Sequence, residues 1–194
     1  MFIKFVSWLF WALNYLICST LKYRVSNAPD SPALYALWHG QSFPVFYWAR
    51  NRKVCIHPTD NWRGDVLTYL GEKYGYKIVR FLERGTPLER SENLVKLMKL
   101  FEKGYSAAIA VDGPPKPMIY HKAKPGILFL CQQSNLPLIP VRIKMKKKIT
   151  LSRRWDKFEI PLPWSEAEIN FGKPVLPEEN ISSSQLEELL SQPF

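Results

Sequence analysis

Apolar and polar positions divide the chain into segments of two distinct periods. From Phe5 to Leu21 no residue is charged. That run would span roughly 25 Å as a helix, short of a hydrocarbon core about 30 Å thick. Trp8, Trp11 and Tyr15 within it favour the water–lipid interface. Residues 1–24 are therefore expected to form an apolar N-terminal helix embedded in a membrane surface. A short true span, a cleaved leader and a helix packed on its own domain are the alternatives. Lys22 and Arg24 follow directly, which places the rest of the chain on the cytoplasmic face of the inner membrane if the helix is an anchor.

Beyond the turn cluster of Asn27, Pro29, Asp30 and Pro32, short apolar runs predict strands at 33–39, 53–58, 76–81, 106–112, 136–143 and 167–172. Helical spacing predicts helices over 41–49, 65–74, 92–103 and 126–134, with Gly75 and Gly104 as stops. Ser184 followed by Glu187 reads as a capping box before a C-terminal helix. Strands and helices alternate, so residues 25–194 are expected to form a single α/β domain. Its sheet should be mostly parallel or mixed and flanked by helices.

Composition narrows the partners. The chain has 194 residues, is 46% hydrophobic and 14% aromatic, and carries a formal charge of +10. That excludes a disordered chain and favours anionic partners: a membrane, an acidic carrier or nucleic acid. Lys144, Lys146, Lys147, Lys148, Arg153 and Arg154 lie near Trp155 and Trp164, a mixture suited to lipid head groups. No nucleic-acid module is recognisable, and the apolar N-terminus argues against that partner. Cys18, Cys55 and Cys131 are scattered in apolar settings, as reduced core thiols are. No Cys/His cluster has metal-ligand spacing.

In open α/β sheets, sites collect at the carboxyl ends of strands. Two predicted strand ends are unusual. Trp38-His39-Gly40-Gln41 puts an imidazole, able to take a proton near neutral pH, beside a glycine that admits a ligand. Asp112-Gly113-Pro114-Pro115-Lys116-Pro117 puts a carboxylate at the mouth of a stiff loop. Read without context, the histidine is more often structural, and the aspartate is as often a turn residue bonded to its own backbone. Arg84-Gly85-Thr86 pairs a guanidinium with exposed amides, a combination that suits phosphate. The commoner reading of such a segment is a charged loop.

In order along the chain, LWHGQ, RGDVLTYLGEKYGYKIVR, RGT, FEKG, AIAVDGPPKP, KPGILFLCQQSNLPLIPVRI, RRWDKFEIPLPWS and NFGKPV resemble the lysophospholipid acyltransferase superfamily. The resemblance is strongest to its small bacterial branch, described only as a domain of unknown function. It implies transfer of a fatty acyl group from a thioester, on acyl carrier protein or coenzyme A, to the hydroxyl of a lysophospholipid or related lipid. No metal or other cofactor is implied. His39 would be the base, and Asp112 a pocket residue or orienter of that base. Gly40, Gln41, Arg84, Gly85, Thr86, Gly113, Pro114 and Lys116 would meet substrate. The superfamily's usual pattern sets an aspartate at the position held here by Pro44, so the carboxylate that orients His39 is unassigned. Asp112, Asp60 and Asp65 are the candidates, in that order. The missing aspartate also motivates a non-catalytic alternative, a lipid-binding or membrane-scaffold protein on the same fold.

Overall fold

The computed structural model describes residues 2–80, 82, 85–113 and 116–193. Helix α1 (Phe2–Ser19) leads into strand β1 (Lys22–Ser26). The order continues β2 (Leu34–Leu37), a 3₁₀ turn (His39–Gln41), α2 (Phe43–Trp48), β3 (Val54–Ile56), α3 (Trp62–Lys73) and β4 (Lys77–Ile78). Then come α4 (Pro87–Glu102), β5 (Ser106–Ala110), α5 (Gly126–Ser134), β6 (Leu138–Met145), the β7 (Lys148–Thr150) and β8 (Glu159–Pro161) hairpin, β9 (Glu166–Phe171) and α6 (Ser183–Ser191). The seven-stranded sheet runs β1-β9-β6-β2-β5-β3-β4. β6, β2, β5, β3 and β4 are mutually parallel. β9 is antiparallel to β6, and β1 is parallel to β9. The fold is thus one α/β domain with a mixed, predominantly parallel sheet.

Side-chain alternation sets the layers. Leu34 and Ala36 of β2 face a core made with Leu97 and Phe101 of α4, Ile127 and Leu130 of α5, and Leu186 and Leu190 of α6. Leu37, the next residue on the opposite face, packs with Ile139, Val141 and Ile143 of β6 and with α2. Below β3, Leu70 of α3 joins Phe10 and Trp11 of α1. The buried cysteines are free thiols.

Several boundaries differ from the periodicity reading. α4 begins at Pro87 rather than near Glu92, because Thr86 caps it in a reciprocal box with Glu89. The cap of α6 is Ser182 with Gln185, not Ser184 with Glu187. Glu187 instead accepts the Ala123 N–H at 2.9 Å. β1 and the β7–β8 hairpin had no apolar signature. The helix of the apolar N-terminal segment ends at Ser19, and Lys22–Ser26 already belongs to the sheet.

Helix α1 is inverted with respect to a soluble amphipathic helix. Its buried residues are Ser7, Asn14 and Cys18. Asn14 donates to the Phe43 carbonyl at 2.9 Å and accepts from the Tyr74 hydroxyl at 2.8 Å. Phe5, Trp8, Leu9, Leu13 and Leu16 point outward and are exposed. The helix has a mean hydropathy of 1.4 and the length to cross a membrane.

Candidate active site

β2 and β5 are adjacent parallel strands paired Leu37 to Ala110. After β2 the chain passes through α2 to β3, on one face of the sheet. After β5 it passes through α5 to β6, on the other. The crevice beyond these strand ends is a topological switch point, where α/β folds receive ligands. His39 and Asp112 stand there side by side.

Asp112 accepts a hydrogen bond from the backbone N–H of His39 at 2.9 Å. It is fully buried, and its other oxygen, Oδ2, has no hydrogen-bond partner. Burial is the main reason its carboxyl is pushed up to about 6; the bond from His39 and the charge of Lys124 oppose the rise. The Lys124 ammonium donates to the Gly113 carbonyl and ties down the start of the loop. Asp112 therefore holds the turn that carries His39 and does not touch the imidazole through a hydrogen bond.

The imidazole meets a different carboxylate. His39 Nε2 lies 4.0 Å from Asp156 Oδ2. The Asp156 side chain is buried and gripped at both oxygens by Arg154, with Nε to Oδ1 at 2.9 Å and Nη2 to Oδ2 at 2.7 Å. Burial would raise Asp156, but the bonds and charge of Arg154 outweigh it, so the carboxyl stays below its ordinary range. Burial lowers His39; Asp156 opposes that shift and Arg154 reinforces it. The ring is neutral near pH 7. Its Nδ1 is buried and unpartnered, and a Cβ on Gly113 would come within 3.3 Å of it.

Asp156 and Arg154 belong to the RRWDKF motif, in the loop that joins β7 to β8. Both were missed as site residues. Arg154 read as one member of a basic run, and only the place of Asp156 inside a motif marked it. Their loop is seated on the histidine turn. Phe158 packs edge-on against Phe43 at 6.1 Å, and the Trp155 ring lies 5.5 Å from that of His39. Across the crevice, Lys157 sits 4.3 Å over Tyr120. His121 is stacked between Tyr120 and Trp38, at 3.9 and 4.5 Å.

The other residues singled out from the sequence divide. Gly40 is buried against Asp156, and Gln41 is half-buried in the same turn. Gly113 borders His39, while Lys116 is exposed. Thr86 spends its hydroxyl on the α4 cap, and Gly85 packs tightly on Leu82. Arg84 and Pro114 lie outside the described residues. Asp65 pairs with Arg80 at 3.0 Å.

No protein-family model matches the chain. It is 26% identical over 149 residues to an uncharacterised protein of Rickettsia prowazekii, a match that covers 75% of this chain and 65% of that relative's length. Among solved structures it is similar to the 1-acyl-sn-glycerophosphate (LPA) acyltransferase PlsC from Thermotoga maritima. The TM-score is 0.53 at 14% identity, over 97% of this chain and 76% of that one. The likeness is one of fold: this chain has an acyltransferase-like α/β architecture.

Proposed function

We propose that the chain is an O-acyltransferase. It would move a fatty acyl group from an acyl thioester, on acyl carrier protein or coenzyme A, to the hydroxyl of a lysophospholipid or related lipid. The observation that carries this reading is His39 itself: a neutral imidazole at the switch point of an acyltransferase-like fold, with Nδ1 buried and unpartnered. An alcohol is a poor nucleophile until a base shares its proton, whereas a thioester carbonyl is already activated.

His39 accepts the acceptor's hydroxyl proton as the oxygen bonds to the thioester carbonyl carbon. The tetrahedral intermediate collapses with cleavage of the C–S bond. The imidazolium returns its proton to the departing thiolate, leaving an ester and a free thiol. Asp112 keeps the histidine turn in register through the His39 N–H. Gly113 spares the ring a Cβ that would crowd Nδ1 at 3.3 Å.

The outward face of α1 supports attachment to a membrane, and Lys22 and Arg24 directly after it favour the cytoplasmic side. Polar groups of the helix are used against the protein, and its large apolar side chains are left for lipid. Acceptor and enzyme would then share one surface.

The test is acyl transfer from labelled acyl carrier protein and labelled acyl-coenzyme A to a panel of lysolipids, comparing native protein with His39→Ala. A loss of about a hundredfold or more, the general-base contribution, is expected. If neither protein transfers acyl groups and both bind vesicles equally, the chain is a lipid-binding protein without this chemistry.

A further inference from the structure

We propose that Asp156 is the positioning carboxylate of His39, delivered by the β7–β8 loop to the place that a residue one turn beyond the histidine cannot fill. The inference rests on the reading of His39 as the base. Pro44 holds the nearby position and carries no charge. Asp112 is committed to the backbone N–H of His39, and Asp65 to Arg80. Among the described residues, Asp156 is the carboxylate that pairs with the ring, at 4.0 Å from Nε2.

Three features indicate a built arrangement rather than a chance approach. A Cβ on Gly40 would lie 2.1 Å from the Asp156 carbonyl oxygen, so the loop backbone and the histidine turn meet where only glycine fits. Phe158 and Phe43 lock the two segments together one turn further on. Arg154 binds both carboxylate oxygens in a fork, which fixes the plane of the carboxylate and keeps it ionised while buried. Oδ2 is thereby shared between Arg154 and the imidazole edge.

The chemical consequence follows from the ring's two nitrogens. A carboxylate facing Nε2 favours the tautomer with its proton there, so Nδ1, buried against Gly113 in this structure, becomes the basic nitrogen that meets the acceptor hydroxyl once substrate opens that side of the ring. When Nδ1 takes that proton, Asp156 lies beside the cation and stabilises it. Contraction of the 4.0 Å gap to hydrogen-bond length on substrate binding would complete the contact. Arg154 tempers the effect, so that the imidazole gains an orienter without being driven to permanent protonation. Among the described residues, the charged groups around the ring are Asp156 and Arg154 from the hairpin loop, and Asp112 and Lys124 from the segment after β5.

The experiment uses the full chain in phospholipid nanodiscs. It combines nitrogen-15 NMR titration of His39 with kcat and KM for acyl transfer. In native protein the proton should reside on Nε2. Asp156→Asn should lower the His39 pKa, mix the tautomers and cut kcat at least tenfold, with KM within threefold. Arg154→Gln keeps a donor to Asp156 but removes the cation, and should shift the His39 pKa the opposite way, upward. These opposed shifts are not produced by a merely structural loop. Unchanged His39 titration and kcat in Asp156→Asn, with activity lost in His39→Ala, would overturn the role of Asp156 and leave the base standing. Full activity in His39→Ala would overturn both. Should Asp156→Asn fail to fold, Arg154→Gln decides: an unmoved His39 pKa refutes the coupling.

Discussion

Gly40 and Asp156 touch backbone to backbone, with 2.1 Å between the place a Gly40 Cβ would take and the Asp156 carbonyl oxygen. No side-chain rotation relieves such a clash, because the obstructing atom belongs to the main chain. Gly40→Ala must therefore push the hairpin loop off the histidine turn, at a cost of about 1–3 kcal/mol of overpacking. Acyl transfer should fall by more than tenfold, since about 1.4 kcal/mol of lost positioning is already a factor of ten. Thermal unfolding together with the His39 titration checks this. A variant with native activity would show that loop and turn are not coupled.

Asp112 and Asp156 are both buried carboxylates beside His39, yet they answer to pH in opposite ways, because Arg154 grips only one of them. Asp112 rises to about 6, above its value of about 3.9 in an unfolded chain. Its stabilising contribution is full below that unfolded value and is lost as pH climbs through 6. Above that, the protein carries a buried, half-satisfied charge. Asp112→Asn keeps an oxygen for the His39 N–H and removes the charge. The variant should match native stability at about pH 4 and exceed it by roughly 1–3 kcal/mol at pH 8. Its kcat should drop by less than the roughly hundredfold of a lost general base. Denaturant melts across this range check the first expectation; a variant less stable at pH 8 would refute it.

The parallel strands were legible because burial on both faces makes them continuous apolar runs, as in ALYAL, SAAIA and PLIPV. β1 was not: its burial runs exposed at four positions with only Tyr23 partly covered, so no alternation records it. The hairpin strands are shorter still, three residues each, and β7 is exposed throughout. The site followed the same division. His39 and Asp112 stand at the ends of legible strands, and their adjacency follows from the β2–β5 pairing. Asp156 reaches the ring only through the hairpin, an element that local periodicity does not encode. Within the histidine's own turn, the corresponding position holds Pro44, which has no charge. Thr86 sits in RGT, a segment that suits a ligand contact. The same residue opens T-P-L-E, a capping signal, and its hydroxyl is engaged in the α4 cap.

Asn14 separates the protein-facing and outward-facing roles of α1. Replacing it with leucine leaves the Phe43 carbonyl and the Tyr74 hydroxyl without the partner they now share. The loss should cost about 2 kcal/mol and lower Tm by roughly 4–8 °C for a chain of this size. Association with vesicles should persist, because the outward side chains are untouched. Exchanging Phe5, Trp8, Leu9, Leu13 and Leu16 for serine should do the reverse, abolishing vesicle flotation. If Asn14→Leu lost flotation while the serine variant kept it, the assignment of faces would be wrong.

His57 sets the acid limb of stability. It is half-buried, its Nε2 is enclosed without a partner, and desolvation drives it down to about 4, with a bond to the Val79 backbone opposing. The unfolded chain protonates this residue near pH 6.5, so stability is full above that value and falls as pH drops through 4. The total is roughly 3 kcal/mol. His39 and His121, also lowered by burial, add to the same slope. Asp112 opposes it over nearly the same window. The slope of the native pH profile should therefore lie between those of the two variants: Asp112→Asn steepens the fall toward acid, and His57→Gln flattens or reverses it. Equilibrium unfolding in urea at half-unit pH steps measures both slopes. Identical slopes in native protein and His57→Gln would show that His57 is not the desolvated neutral base described.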